Sequence, residues 1–243
     1  MKQLYRSLKQ SLGAFRKKES GLALIEFSFS ITALIFLFIG GVELSRYVLI
    51  IQKLEKSVSE VADVVTQTNS SIGPIQDANM QQITSALPFM MNPYYTSGLY
   101  NSSTAGLSLI IVTDVSRQAN NGTTCTDANP CYSVNWQYCG GMNASGSIAA
   151  NPSRIAPSGA PAQHTTGTPT DITHDQANPN SPLNGFSFAA GEEIIVAEYF
   201  YNFKPILLET LVPTSLVYRY AIFSPRLGSL ATPPTGSSSS QCS

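Results

Sequence analysis

Residues Leu22 to Val42 read LALIEFSFSITALIFLFIGGV, a run of 21 residues whose only charge is Glu26. As an α-helix at about 1.5 Å per residue it reaches ~31 Å, the thickness of a bilayer's hydrocarbon core. A chain carrying such a run must bury it in lipid or in other helices, so one transmembrane helix is the first expectation. Six of the 14 basic residues precede it (Lys2, Arg6, Lys9, Arg16, Lys17 and Lys18), while its C-terminal flank is mixed (Glu43, Arg46, Lys53, Glu55, Lys56). The positive-inside bias then places residues 1–21 in the cytoplasm as a basic leader, and everything after about Ile51 on the other side. A cleaved secretory signal fits poorly, because the run is long, contains a Glu and is followed by no small-x-small site.

Beyond the leader the balance turns acidic, with eight basic and fourteen acidic groups, and the whole chain carries a net charge of −1. That excludes a broad basic surface for nucleic acid. Only 12% of residues are charged, about half the ~25% usual in soluble domains, which suits an exported or membrane-associated protein.

A carboxylate one turn inside hydrocarbon is costly unless it reaches the headgroups or finds a partner. Around Glu26 the sequence is Lys17-Lys18-Glu19-Ser20-Gly21 followed by Leu22-Ala23-Leu24-Ile25-Glu26-Phe27. A basic leader, a Gly, and a Glu at the fifth apolar position resemble the processing signal of type IV pilins and pseudopilins. The resemblance implies that a prepilin peptidase cuts after Gly21 and frees the amine of Leu22. It also implies that Glu26, next to Phe27, pairs with a neighbouring subunit's new amine and so sets axial register among bundled helices. Glu43-Leu44-Ser45-Arg46 at the end of the run is similar to the Glu-Leu-Gly-Arg of the TadE-like family of the tight-adherence (Flp) pilus system, with Ser45 in place of Gly. The likeness covers residues 15–68 strongly, Glu192–Arg226 weakly, and nothing between. With 222 residues beyond Gly21, it implies a minor, pseudopilin-type component, not a short bulk pilin. Its implied setting is the bacterial inner membrane, crossed once, with the C-terminal domain periplasmic. The implied partners are the prepilin peptidase, other pilins, inner-membrane pilus assembly proteins and the lipid bilayer.

Past the membrane run, Leu44, Tyr47, Ile51, Leu54, Val58, Val61 and Val65 recur at alternating intervals of 3 and 4. This predicts one helix over 22–68 whose second half is amphipathic. Its stripe is to be covered by the chain's own C-terminal domain or, on the rival reading, by another subunit in a coiled coil. Four segments alternate as strands should: Leu107, Leu109, Ile111, Thr113 and Val115; Tyr132, Val134, Trp136 and Tyr138; Ile195, Ala197, Tyr199, Tyr201 and Phe203; and Leu216, Tyr218, Tyr220 and Ile222. Short helices are expected at Ile75–Leu87 and Pro205–Leu211. The expected domain, residues 69–230, is α+β, a small antiparallel sheet with one face on the long helix. Residues 140–185, with six Gly and six Pro, read as a long surface excursion or disordered segment, and 231–243 as a flexible tail.

Cys125, Cys131, Cys139 and Cys242 all follow the membrane run, and an even number in an oxidising compartment suggests two disulfides with three possible pairings. The preferred one joins two of the first three and ties Cys242 to the third. The cysteine spacings do not match zinc knuckles, so no metal and no cofactor is expected. His164 and His174 lie in the excursion, and Asp171, His174 and Asp175 make at best an opportunistic metal site. No hydrolase, metalloprotease or P-loop pattern occurs, and no enzyme is expected. Asn-x-Ser/Thr triplets at Asn69, Asn101, Asn121 and Asn143 carry no weight in so polar a chain. The reading from another class is a single-pass anchored protein whose outer domain binds or scaffolds a partner and never enters a filament.

Overall fold

A computed structural model describes residues 2–68, 75–94, 108–123, 125–128, 130–140, 153–155, 170–172, 179–203, 205–206 and 215–232, with backbone alone for 2–20, 77, 170 and 171. Leu107, His164, His174, Asp175, Cys242, the Asn69, Asn101 and Asn143 triplets, most of the Pro205–Leu211 helix and most of the tail lie outside these residues.

The fold is α+β. Helix α1 (Lys2–Thr66) is followed by short helices α2 (Asp77–Ser85) and α3 (Leu87–Met91) and by strands β1 (Ser108–Arg117), β2 (Tyr132–Gly140), β3 (Thr170–Asp171), β4 (Glu193–Phe203) and β5 (Ser215–Phe223). The sheet is antiparallel throughout in the order β3-β2-β1-β4-β5. The helix starts twenty residues before the expected Leu22, because residues 2–20 contain no Pro and mostly good helix formers. It ends two residues before the expected Thr68.

The chain divides into two compact units. One comprises Met1–Arg46 and Pro205–Val212, the other Tyr47–Lys204 and Pro213–Ser243. In the second unit the amphipathic stripe is covered by the chain's own sheet. Ile50, Leu54, Val58, Val61, Ala62 and Val65 pack with Ile110, Val112, Trp136, Tyr138, Ile195, Ala197, Tyr199 and Tyr201. Helices α2 and α3 close this layer through Met80, Leu87 and Met91. Lys53 from α1 donates to the carbonyls of Met90 (3.3 Å) and Asn92 (2.5 Å), serving the orphan acceptors at the end of α3. Leu44, the first residue of the expected stripe, is exposed.

The opposite face of the sheet is covered too, which is why β1 and β4 are buried along nearly their whole length. Val115, Tyr132, Val134, Ile194 and Val196 pack against Ile155, Ile172 and Leu183, so the excursion at 140–185 supplies buried aliphatic side chains. Leu109, Ile111, Cys139 and Phe200 form a neighbouring cluster.

Two strand faces differ from the sequence expectation. Asp114 pairs with Trp136 and Val115 with Val134, leaving Asn135 as an extra residue on β2. This bulge shifts the side-chain parity, so Trp136 and Tyr138 face the helix while Tyr132 and Val134 face the other way. On β1 it is Ile110 and Val112 that meet the helix, with Leu109 and Ile111 behind. On the edge strand β5, Val217 and Ala221 turn inward, while Leu216 and Tyr220 of the expected apolar face are exposed. β4 presents its expected face whole to the helix: Ile195, Ala197, Tyr199, Tyr201 and Phe203.

Candidate functional site

The polar positions of the apolar run lie on an uninterrupted helix. Every residue from Gly21 to Phe38 is exposed, on all sides of the helix. Leu22 is 60% and Phe27 65% exposed, and Glu26 shares that exposure. This is the one helix among the described residues long and apolar enough to cross a membrane. An all-round apolar surface requires lipid or other helices as its solvent. Gly21 meets nothing within 4 Å of where a Cβ would stand. Its place is therefore not explained by packing, and its backbone freedom makes it the weak point of this stretch of helix. Inside the run the Thr32 hydroxyl is satisfied locally, donating to the Ser28 carbonyl at 2.8 Å. Glu26 thus stands alone as a charge on an apolar surface.

At the far end of the run the environment changes. Ile39 and Gly40 are half-buried and Glu43 is buried, all on one side of the helix. Glu43 contacts Arg46 one turn on (Oε2 to Nη1, 3.4 Å), and its Oε1 accepts the backbone N–H of Ile206 at 2.8 Å. The Glu43/Arg46 pair singled out from the sequence is therefore a tie between the helix and the β4–β5 connection within the first unit. The structure does not bring it together with Gly21, Leu22 or Glu26, which stand four or more helical turns away along the same helix.

Cys125 and Cys131 form a disulfide (Cα–Cα 5.2 Å) across the β1–β2 connection. Asn121 Oδ1 accepts from the N–H groups of Thr123 (3.1 Å) and Cys125 (2.9 Å), shaping the turn that leads into the bond. Cys139 is also disulfide-bonded, and no described cysteine is free. Among the described residues no group of three His, Cys, Asp or Glu could hold a metal.

Two buried carboxyl groups escaped sequence reasoning. Glu198, fully buried on β4, accepts hydrogen bonds from the Arg154 N–H (2.9 Å), the Tyr218 hydroxyl (2.9 Å) and the Ser153 hydroxyl. The Arg154 guanidinium lies 3.9 Å from the centre of the Tyr218 ring, and Gln137 reaches Thr113 and Ser153, each at 3.0 Å. Burial raises the Glu198 pKa, and burial together with the Glu198 charge raises that of Tyr218. The group pins Ser153–Ile155 to the sheet. Asp114, fully buried on β1, has one oxygen bonded by Asn135 and the other without a partner. Burial first, then the neighbouring Glu193 carboxyl, pushes its pKa well up. Glu193 in turn accepts from the Ser229 hydroxyl (2.6 Å) and the Leu230 N–H, while the Trp136 indole donates to the Leu230 carbonyl at 2.6 Å. The readable signal for both groups was a charge inside an apolar strand run, IIVAEYF and LIIVTDV. Both clusters hold chain segments against the sheet, Ser153–Ile155 through Glu198 and Leu230 through Glu193 and Trp136.

Compared with known proteins, the chain matches no family model, no curated protein and no solved structure.

Proposed function

We propose that the chain is a TadE-like minor pilin, or pseudopilin, of a tight-adherence pilus machine, processed by a prepilin peptidase between Gly21 and Leu22. In this reading it spans the bacterial inner membrane once, with residues 1–21 cytoplasmic and the disulfide-bonded α+β domain periplasmic, and its work is mechanical and non-enzymatic. The observation that carries the reading is Glu26, a lone carboxylate at the fifth position after Gly21 on a helix that is apolar and exposed on every side. Support comes also from the helix's second half, which is occupied by its own sheet and leaves the apolar first half as the surface for lateral assembly. A new amine at Leu22 and a neighbour's Glu26 compensate each other in a medium where each alone is costly.

The test is Glu26→Ala in the full chain, scored by cross-linking to the other pilus components and by membrane fractionation. Loss of cross-linking with unchanged membrane insertion is the expected result. Unchanged cross-linking would leave the anchored-scaffold reading in its place.

A further inference from the structure

The β4–β5 connection meets helix α1 one residue beyond the end of the apolar run. Glu43 directly follows Val42, and its carboxylate holds the backbone N–H of Ile206 at 2.8 Å. With about 1.5 Å of rise per residue, the Ile206 backbone lies within a few ångströms of the depth at which the run leaves hydrocarbon. Pro205 beside it is buried, whereas the Ile206 side chain is 66% exposed. An isoleucine fixed by its backbone and left bare at that depth is matched to the boundary between headgroups and acyl chains. The sequence continues Leu207-Leu208-Glu209-Thr210-Leu211-Val212, with one charge among six residues, and Pro205 and Ile206 belong to the same compact unit as the first part of α1.

We propose that the Pro205–Ile206 connection is a second membrane contact, with Ile206 seated at the headgroup–acyl boundary and held there by Glu43. A single helix leaves its protein free to rotate about the membrane normal and to tilt. A second apolar point tied to the side of the helix opposes both motions and fixes which face of α1 lies beneath the connection. Buried Glu43 thereby gains a purpose that register setting by Glu26 does not supply. The proposal rests on Leu22–Val42 lying in a bilayer and is independent of peptidase processing.

The experiment uses the full chain in phosphatidylcholine/phosphatidylglycerol vesicles containing lipids brominated at shallow or deep acyl positions. The native Trp136 is buried in the sheet core and supplies a constant background. Ile206→Trp should add fluorescence quenched at least twofold by shallow bromines and less by deep ones, whereas Phe36→Trp should be quenched most by deep bromines. Adding Glu43→Ala to Ile206→Trp should remove at least half of the quenching, which separates a tethered side chain from tryptophan's own preference for interfaces. Quenching of Phe36→Trp without quenching of Ile206→Trp overturns the proposal and leaves the anchor standing. Indifference of the Ile206→Trp signal to Glu43→Ala overturns the tether. Absence of quenching in both single variants overturns the proposal together with the membrane placement of α1.

Discussion

Asp114 is fully buried and carries one oxygen with no hydrogen-bond partner. Protonation turns that oxygen into a donor for the neighbouring Glu193 carboxyl, consistent with a pKa pushed well above the usual carboxylate range. A group whose folded pKa lies above its unfolded value contributes stability that is complete below the unfolded value of about 3.9 and lost as pH rises through the folded value. Glu198, also raised, acts in the same direction. Thermal unfolding followed across pH should therefore show stability declining as pH rises through this window. Asp114→Asn keeps the acceptor for Asn135 and supplies a permanent donor toward Glu193. It should flatten the decline and add roughly 1–3 kcal/mol at neutral pH, the cost of an unsatisfied buried polar group. A loss of stability at neutral pH in that variant would show that the ionised carboxylate is needed.

At the scale of elements, α2 approaches β2 only because residue 140 is glycine. A Cβ there would overlap the Thr84 side chain and lie 2.9 Å from Ile110 Cγ2, and Thr84 is itself fixed by its bond to the Met80 carbonyl at 2.9 Å. Gly140→Ala should cost about 1–3 kcal/mol through overpacking, read as a lower unfolding midpoint with unchanged membrane insertion. Periodicity made the long helix and the β4 face legible, since both keep one period over their whole length. It failed on β2 because the Asn135 bulge changes parity between Trp136 and Val134, and a bulge leaves no mark in an alternating sequence. It failed on β5 because an edge strand under partial cover tolerates Leu216 and Tyr220 outside. The excursion misled by composition: Ile155, Ile172 and Leu183 are spaced too widely to form a pattern, yet each is buried against the sheet. Glu43 and Arg46 were visible as a pair, but the Ile206 N–H held by Glu43 lies 163 residues away along the chain.

For the whole molecule, one helix serves two environments. Its second half is the spine of an α+β domain, and its first half offers an apolar surface that the described chain leaves bare. On the proposed reading the Gly21–Glu26 spacing assigns that bare half to processing and lateral assembly, and the Glu43–Ile206 tie adds a point of orientation. The most direct measurement is the N-terminal residue and intact mass of the protein taken from bacterial membranes, with and without an active prepilin peptidase. A chain that begins at Leu22 only when the peptidase is active is the predicted result. A chain that begins at Met1 under both conditions would contradict the pilin reading and leave α1 as a simple anchor.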